Sequence, residues 1–175
     1  MRVNFYKTKL NLQNGRVDVV KERAMNYSPY KRLDSPIAVN DFCTNVLKMH
    51  EDAEERAYIL CYDRSKRLIG LLELAHGSNN AVHIDIRAMF TKMLLINTEA
   101  FVFVHNHPNG WVWPSTDDTH LMEQFWQMGR FLHIEMLDSV IVQGGLGIEY
   151  YSFLEHGDFN NYKRIELKWL IGEDI

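Results

Sequence analysis

The apolar run Phe101-Val102-Phe103-Val104 ends in His105-Asn106-His107-Pro108-Asn109-Gly110, and no other junction constrains this chain as strongly. Four apolar residues bounded by turn formers predict a short buried strand. His105 and His107 then fall at i and i+2 where the strand ends, so both imidazoles face one side of the sheet. Pro108, Asn109 and Gly110 open a loop, and Pro114-Ser115 predicts a helix from about Thr116 to about Leu132 with Asp118 in its first turn. Two neutral nitrogen donors and a carboxylate brought to one point are the ligand set of a catalytic zinc that keeps a fourth position for water. Each part alone has a plainer reading. A histidine near a strand end is usually just a satisfied polar residue, and Ser115-Thr116-Asp117-Asp118 is by itself a helix capping box. Capping alone, however, does not call for two histidines leaving an apolar strand just upstream.

The spacing His-x-His-Pro, six residues, Ser-x-x-Asp resembles the metal signature of the JAB/MPN (JAMM) metalloprotease domain. The form His105-Asn106-His107-Pro108-Asn109-Gly110 followed by Pro114-Ser115 resembles its RadC branch in particular. The likeness extends to Leu33-Asp34-Ser35-Pro36, to Glu55 through Asp63, and to Gly129, Ile134 through Asp138 and Tyr150 through Gly157, so it covers roughly residues 30 to 157. It implies an α/β fold with a central mixed sheet flanked by helices, and zinc-dependent hydrolysis of a peptide or isopeptide amide bond. It also implies roles. His105, His107 and Asp118 hold Zn2+, Glu55 is the general base, and Ser115 donates to the oxyanion. Two positions depart from the family pattern. Ile86-Arg87-Ala88 stands where the family has Pro-Arg-Glu, and Ser139 follows Leu137-Asp138 where the family has His. A non-catalytic metal-binding module and a RadC-like repair or mobile-element role are the alternative readings.

With 175 residues, 46% hydrophobic and 24% charged, the chain suits one globular domain with a sizeable core. A net charge of -4 and a pI near 6.0 give no general attraction to nucleic acid, leaving a local basic patch as the route to one, while the family resemblance implies a peptide or protein substrate. Cys43 and Cys61 form neither a CxxC pair nor a disulfide framework, and no stretch resembles a signal peptide or membrane span. The expected location is therefore the cytoplasm. A zinc deaminase is disfavoured because the Pro-Cys-x-x-Cys segment is missing.

The expected organisation is a hairpin and connector over residues 1–32, the JAB-like domain over 33–157 and a tail over 158–175. Asn14-Gly15 predicts the hairpin turn, between strands at Lys9 to Gln13 and Arg16 to Val20, and Lys21 to Arg32 reads as a loop. RadC-type proteins usually carry a helix-hairpin-helix segment ahead of this domain, and these residues are too few to hold one. A helix is predicted from Asp34-Ser35-Pro36 to about His50, with Ala38, Phe42, Val46 and Leu47 inward. Strands follow at Tyr58 to Tyr62 and Leu68 to Ala75, then a loop at His76 to Asn80. Arg87 to Ile96 reads as a helix with Phe90, Leu94 and Leu95 inward, and Ser139 to Val142 and Ile148 to Phe153 as strands. His76 and His83 have no partner at ligand spacing. His120 points about 200° round its helix from Asp118. Trp111 and Trp113 either cap the core or line a groove beside the metal. Residues 158–175 fit a strand, with Ile165, Leu167 and Trp169 alternating, and equally a helix, with Tyr162, Ile165 and Trp169 on one face.

Glu54 and Glu55 are separated by register. If they continue the following strand, Glu55 shares a face with Ala57, Ile59 and Cys61, while Glu54 shares the other with Arg56 and Tyr58. Only one of them reaches the metal side.

Overall fold

The computed structural model describes residues 1–27, 29, 32–76 and 84–162. Its seven strands are β1 (Arg2–Leu10), β2 (Val17–Asn26), β3 (Arg56–Tyr62), β4 (Leu68–His76), β5 (Ala100–His107), β6 (Glu135–Gln143) and β7 (Tyr150–Ser152). They form one mixed sheet in the order β2-β1-β4-β3-β5-β6-β7. The β1–β4 and β5–β6 pairs are parallel and the others antiparallel. Three α-helices, α1 (Pro36–Asn45), α2 (Ile86–Leu95) and α3 (Thr116–Phe131), complete the α/β fold.

All eight residues of β5 are buried, which is why its sequence is an unbroken apolar run and not an alternation. Its residues still divide by parity. Val102 and Val104 join the core under α1, with Phe42, Leu60 and Val140. Phe101 and Phe103 join the core under α2 and α3, with Met93, Met122 and Phe125. Truncating Phe103 or Phe125 to Ala would cost about 3–5 kcal/mol, because the close-packed surroundings cannot collapse into the gap. On β3 the same parity puts Ala57, Ile59 and Cys61 on the α2/α3 side and Tyr58, Leu60 and Tyr62 on the α1 side. The sheet thus has two cores, and His105 and His107 continue the parity of Phe101 and Phe103 on the α2/α3 side.

Local signals set most boundaries. Ser35 caps α1 by accepting from Ala38 N–H, with Pro36 opening the first turn, and Asp85 caps α2 by accepting from Ala88 N–H. The hairpin forms with a wider loop than expected, since β1 ends at Leu10, paired with Val17, and Asn11 to Gln13 are loop where strand was predicted; β2 in turn runs on to Asn26, so the stretch from Lys21 is strand where a loop was expected. Its pairing with β1 supplies what the local sequence does not. The hairpin is also part of the main sheet, with Val3 and Phe5 in the core.

Two helix expectations fail. The helix predicted to reach His50 ends at Asn45, where Lys48 adopts a left-handed conformation (φ 59°) and a 3-10 turn covers Met49–Glu51. That reversal buries Met49 completely and lets the His50 carbonyl accept from Gly145 N–H at 2.8 Å. In α2 the inward stripe is Met89, Phe90 and Met93, while Leu94 and Leu95 are more than half exposed. An apolar-rich helix offers several 3.6-residue stripes, and the neighbouring sheet decides which is buried. β6 begins at Glu135, four residues before the expected start, and Ile148 is exposed ahead of β7. Of the tail, Asp158–Asn161 form a short 3-10 helix, while its residues from 163 on, the expected loop around Ser78 and the reading of His83 lie outside the described residues.

Candidate metal centre

His105 and His107 occupy the last turn of the β5 pleat, and α3 lies across the same face with Asp118 in its first turn. His105 Nε2 and His107 Nε2 are 3.1 Å apart. Asp118 places Oδ1 3.2 Å from His105 Nε2 and Oδ2 3.4 Å from His107 Nε2. Donors about 2.0–2.1 Å from a tetrahedral zinc stand about 3.3 Å from one another, so this spacing is that of a ligand set. Tautomer fixes one donor further. His107 Nδ1 lies 2.6 Å from the Trp111 carbonyl, which can only accept, so Nδ1 carries the proton and Nε2 presents a lone pair to the centre. The buried Nδ1 of His105 has no hydrogen-bond partner among the described residues. The three side chains fit a metal ion.

The strand end is held rigidly. The His107 carbonyl accepts from both Gly110 N–H and Gly144 N–H at 3.0 Å. A Cβ at Gly144 would lie 2.6 Å from that same oxygen, so only glycine permits the approach. Asp118 is held as firmly from its own helix. Ser115 accepts from Asp118 N–H at 3.1 Å, while Asp118 Oδ2 accepts from Ser115 N–H at 2.8 Å and from the Ser115 hydroxyl at 2.6 Å. The capping box and the ligand set therefore share one carboxylate.

Burial disfavours the charge on Asp118, but hydrogen bonds from His105 and His107 and from Ser115 outweigh it. The carboxyl is held well below the usual carboxylate range. Burial lowers the imidazole of His107, and Asp118, the Trp111 carbonyl and Glu55 overcome it, so His107 holds a proton more tightly than usual.

A cavity of about 330 Å³ opens beside these residues, and Glu55, Asn109, Trp111, Trp113, Ser115 and Asp117 also line it. Glu54 is not among its lining residues. β3 begins at Arg56, so Glu54 and Glu55 precede the strand instead of continuing it and strand register does not sort them; Glu55 nonetheless lines the cavity. Trp111 and Trp113 are 64% and 51% exposed, and both border the cavity. Trp113 also packs on Tyr151 and His156, whose rings stack at 4.0 Å. Between these two readings of the indoles, the groove is the one found. His120 is exposed and outside the ligand group.

Asn106 was not singled out from the sequence. Fully buried between the two histidines, it accepts from Arg56 N–H at 2.7 Å and donates to the Glu54 carbonyl at 3.2 Å. Its partners lie 50 and 52 positions away, so no local pattern reveals it. Of the two departures from the family pattern, Ala88 lies outside the cavity lining. Ser139 is buried beside Phe103, and its hydroxyl finds no partner among the described residues.

A mixed sheet with helices on both faces and a His-x-His/Asp group able to hold a metal at the end of an interior strand define a domain of the JAB kind. The chain belongs to the RadC-like JAB domain family, whose model matches residues 33–158. It is 29% identical over 128 residues to a UPF0758 protein of Thermotoga maritima, covering 73% of this chain and 55% of that protein. It is also 29% identical over 135 residues to a UPF0758 protein of Trichlorobacter lovleyi, covering 77% of this chain and 56% of the relative. The chain thus spans about half the length of the relatives it matches. No helix among the described residues is long and apolar enough to cross a membrane.

Proposed function

We propose that this chain is a zinc-dependent hydrolase that cleaves a peptide or isopeptide amide bond, acting in the cytoplasm on a peptide or protein. The observation that carries the reading is the convergence of His105 Nε2, His107 Nε2 and the Asp118 carboxylate beside a cavity that also holds Glu55. When bound, zinc supplies Lewis acidity, polarising a carbonyl and acidifying water. Glu55 is placed to take the proton of the attacking water and pass it to the leaving amine. Its carboxylate accepts no hydrogen bond among the described residues, which leaves it free for that exchange. The Ser115 hydroxyl rests on Asp118 and would turn to donate to the oxyanion. Trp111 and Trp113 form the rim that receives the substrate chain. The negative net charge and the carboxylates lining the cavity favour a protein substrate over a nucleic acid.

The test uses zinc-loaded protein and a panel of short peptides with α-linked and Lys-Nε-linked glycyl bonds, followed by mass spectrometry. Glu55→Gln should retain zinc and slow cleavage about 100-fold or more, whereas Glu54→Gln should be near neutral. The reverse ranking would place the base at Glu54, and equal rates in both would remove this segment from the chemistry.

A further inference from the structure

We infer that Asn106 is the positioning residue for Glu55, so that the His105-Asn106-His107 unit fixes the metal ligands with one face and the base with the other. The inference rests on the hydrolytic reading above. Residue parity requires the first half of it. With His105 and His107 on the α2/α3 face of β5, the residue between them must point to the α1 face. The β3–β5 ladder ends at the pair Ala57↔His105. One step further on, a side chain replaces the main chain. The Asn106 carboxamide accepts from Arg56 N–H and donates to the Glu54 carbonyl, gripping the backbone on both sides of Glu55. Arg56 N–H can only donate and the Glu54 carbonyl can only accept, so the orientation of the amide is unambiguous. Serine or threonine lacks the reach and paired geometry for both bonds, and aspartate lacks the donor.

Glu55 itself has no such restraint. Its side chain is half-buried at the cavity and accepts no hydrogen bond among the described residues, so its placement depends on the backbone that carries it. That backbone is tied twice, by Asn106 and by the Arg56 guanidinium, which bonds Asp52 at 3.3 Å and Glu73 at 2.8 Å. The Arg56 ties hold the strand to its neighbours on the outer side. The Asn106 bonds connect residues 54 and 56 to the strand that bears the candidate ligands.

The test uses the full chain with Co2+ in place of zinc. The visible absorption of the cobalt protein is titrated with pH in the wild type, Glu55→Gln, Asn106→Ala, Asn106→Asp and the Glu55→Gln/Asn106→Ala double variant. Amide exchange of residue 56 is measured in parallel. Asn106→Ala should keep one cobalt per chain, speed exchange of the Arg56 amide by about tenfold, and shift the cobalt titration towards that of Glu55→Gln. The double variant should match Glu55→Gln alone, since a positioning residue has nothing left to position. Asn106→Asp, which keeps the acceptor for Arg56 N–H, should fall between wild type and Asn106→Ala, and it carries the test if the alanine variant does not fold. If Glu55→Gln differs from wild type while Asn106→Ala and Asn106→Asp do not, the positioning role is wrong and the hydrolytic reading stands. If Glu55→Gln leaves the cobalt spectrum unchanged at every pH, both fail together.

Discussion

Asp118 and Asp138 lie on opposite faces of the sheet and are held in similar ways. Each accepts from a serine hydroxyl, Ser115 at 2.6 Å and Ser152 at 2.7 Å. Each also accepts from backbone amides: Ser115 N–H for Asp118, and Ser139 and Leu154 N–H at 2.7 and 2.9 Å for Asp138. Burial is the strongest influence on both and opposes the charge in both. The outcomes differ in sign. Two imidazoles hold the Asp118 carboxyl well below its usual range, whereas Asp138 has only neutral donors and is pushed up to about 6. Hydrogen-bond number therefore does not separate a metal-binding carboxylate from a structural one. What separates them is a partner able to share positive charge, either a proton or a metal ion.

The largest expected difference is in metal binding. Asp118→Ala and His107→Ala should each weaken zinc binding by about 100-fold or more, since two remaining ligands rarely hold the ion. Asp138→Asn should leave it unchanged. Elemental analysis after gel filtration checks this, and full zinc in the first two variants would break the contrast.

A second test reads the sign of the two shifts in chelator-treated protein by urea unfolding from about pH 2 to about pH 7. The folded pKa of Asp138 lies above its unfolded value, so between about pH 4 and pH 6 the folded state keeps a proton that the unfolded state has lost. Stability from this group is greatest below that window and falls as pH rises, by about 3 kcal/mol for a shift of this size. Asp138→Asn should remove that slope. Asp118 has the opposite sign. Its contribution is present above the unfolded value of about 4 and is lost as pH falls further, so Asp118→Asn should flatten the acid limb instead. Slopes of the same sign at the two sites would contradict the charge argument.

The smallest effects compare the two serines. Ser152→Ala removes a donor from a buried carboxylate and should cost about 1–3 kcal/mol, whereas Ser115→Ala removes an exposed helix cap and should cost about 1 kcal/mol. Thermal unfolding ranks them, and an inverted order would mean that the cap matters more than the buried box.

The candidate ligands His105, His107 and Asp118 were legible because their geometry is local. Two residues apart on a strand and three apart across a helix start, His105/His107 and Ser115/Asp118 carry their relative placement in the periods of the backbone. Glu55 was legible only through family resemblance, because it reaches the cavity from the segment just before β3, far from the other residues in sequence. Leu94 and Leu95 misled for a reason of the same kind. They fit an apolar stripe of α2, but the sheet packs on the stripe that contains Met89 and Met93.

Local sequence alone prescribes the strand that ends in two histidines and the capped helix that carries Asp118. Each follows from a backbone repeat acting over a few residues. Tertiary structure alone decided that β2 continues to Asn26, that α1 stops at Asn45 so that Met49 can be buried, and that Asn106 grips residues 54 and 56. These depend on partners far away in the chain, and no local period encodes which strand will lie alongside. A buried carboxamide must find a donor and an acceptor, but only the assembled sheet determines that they belong to the backbone on either side of Glu55.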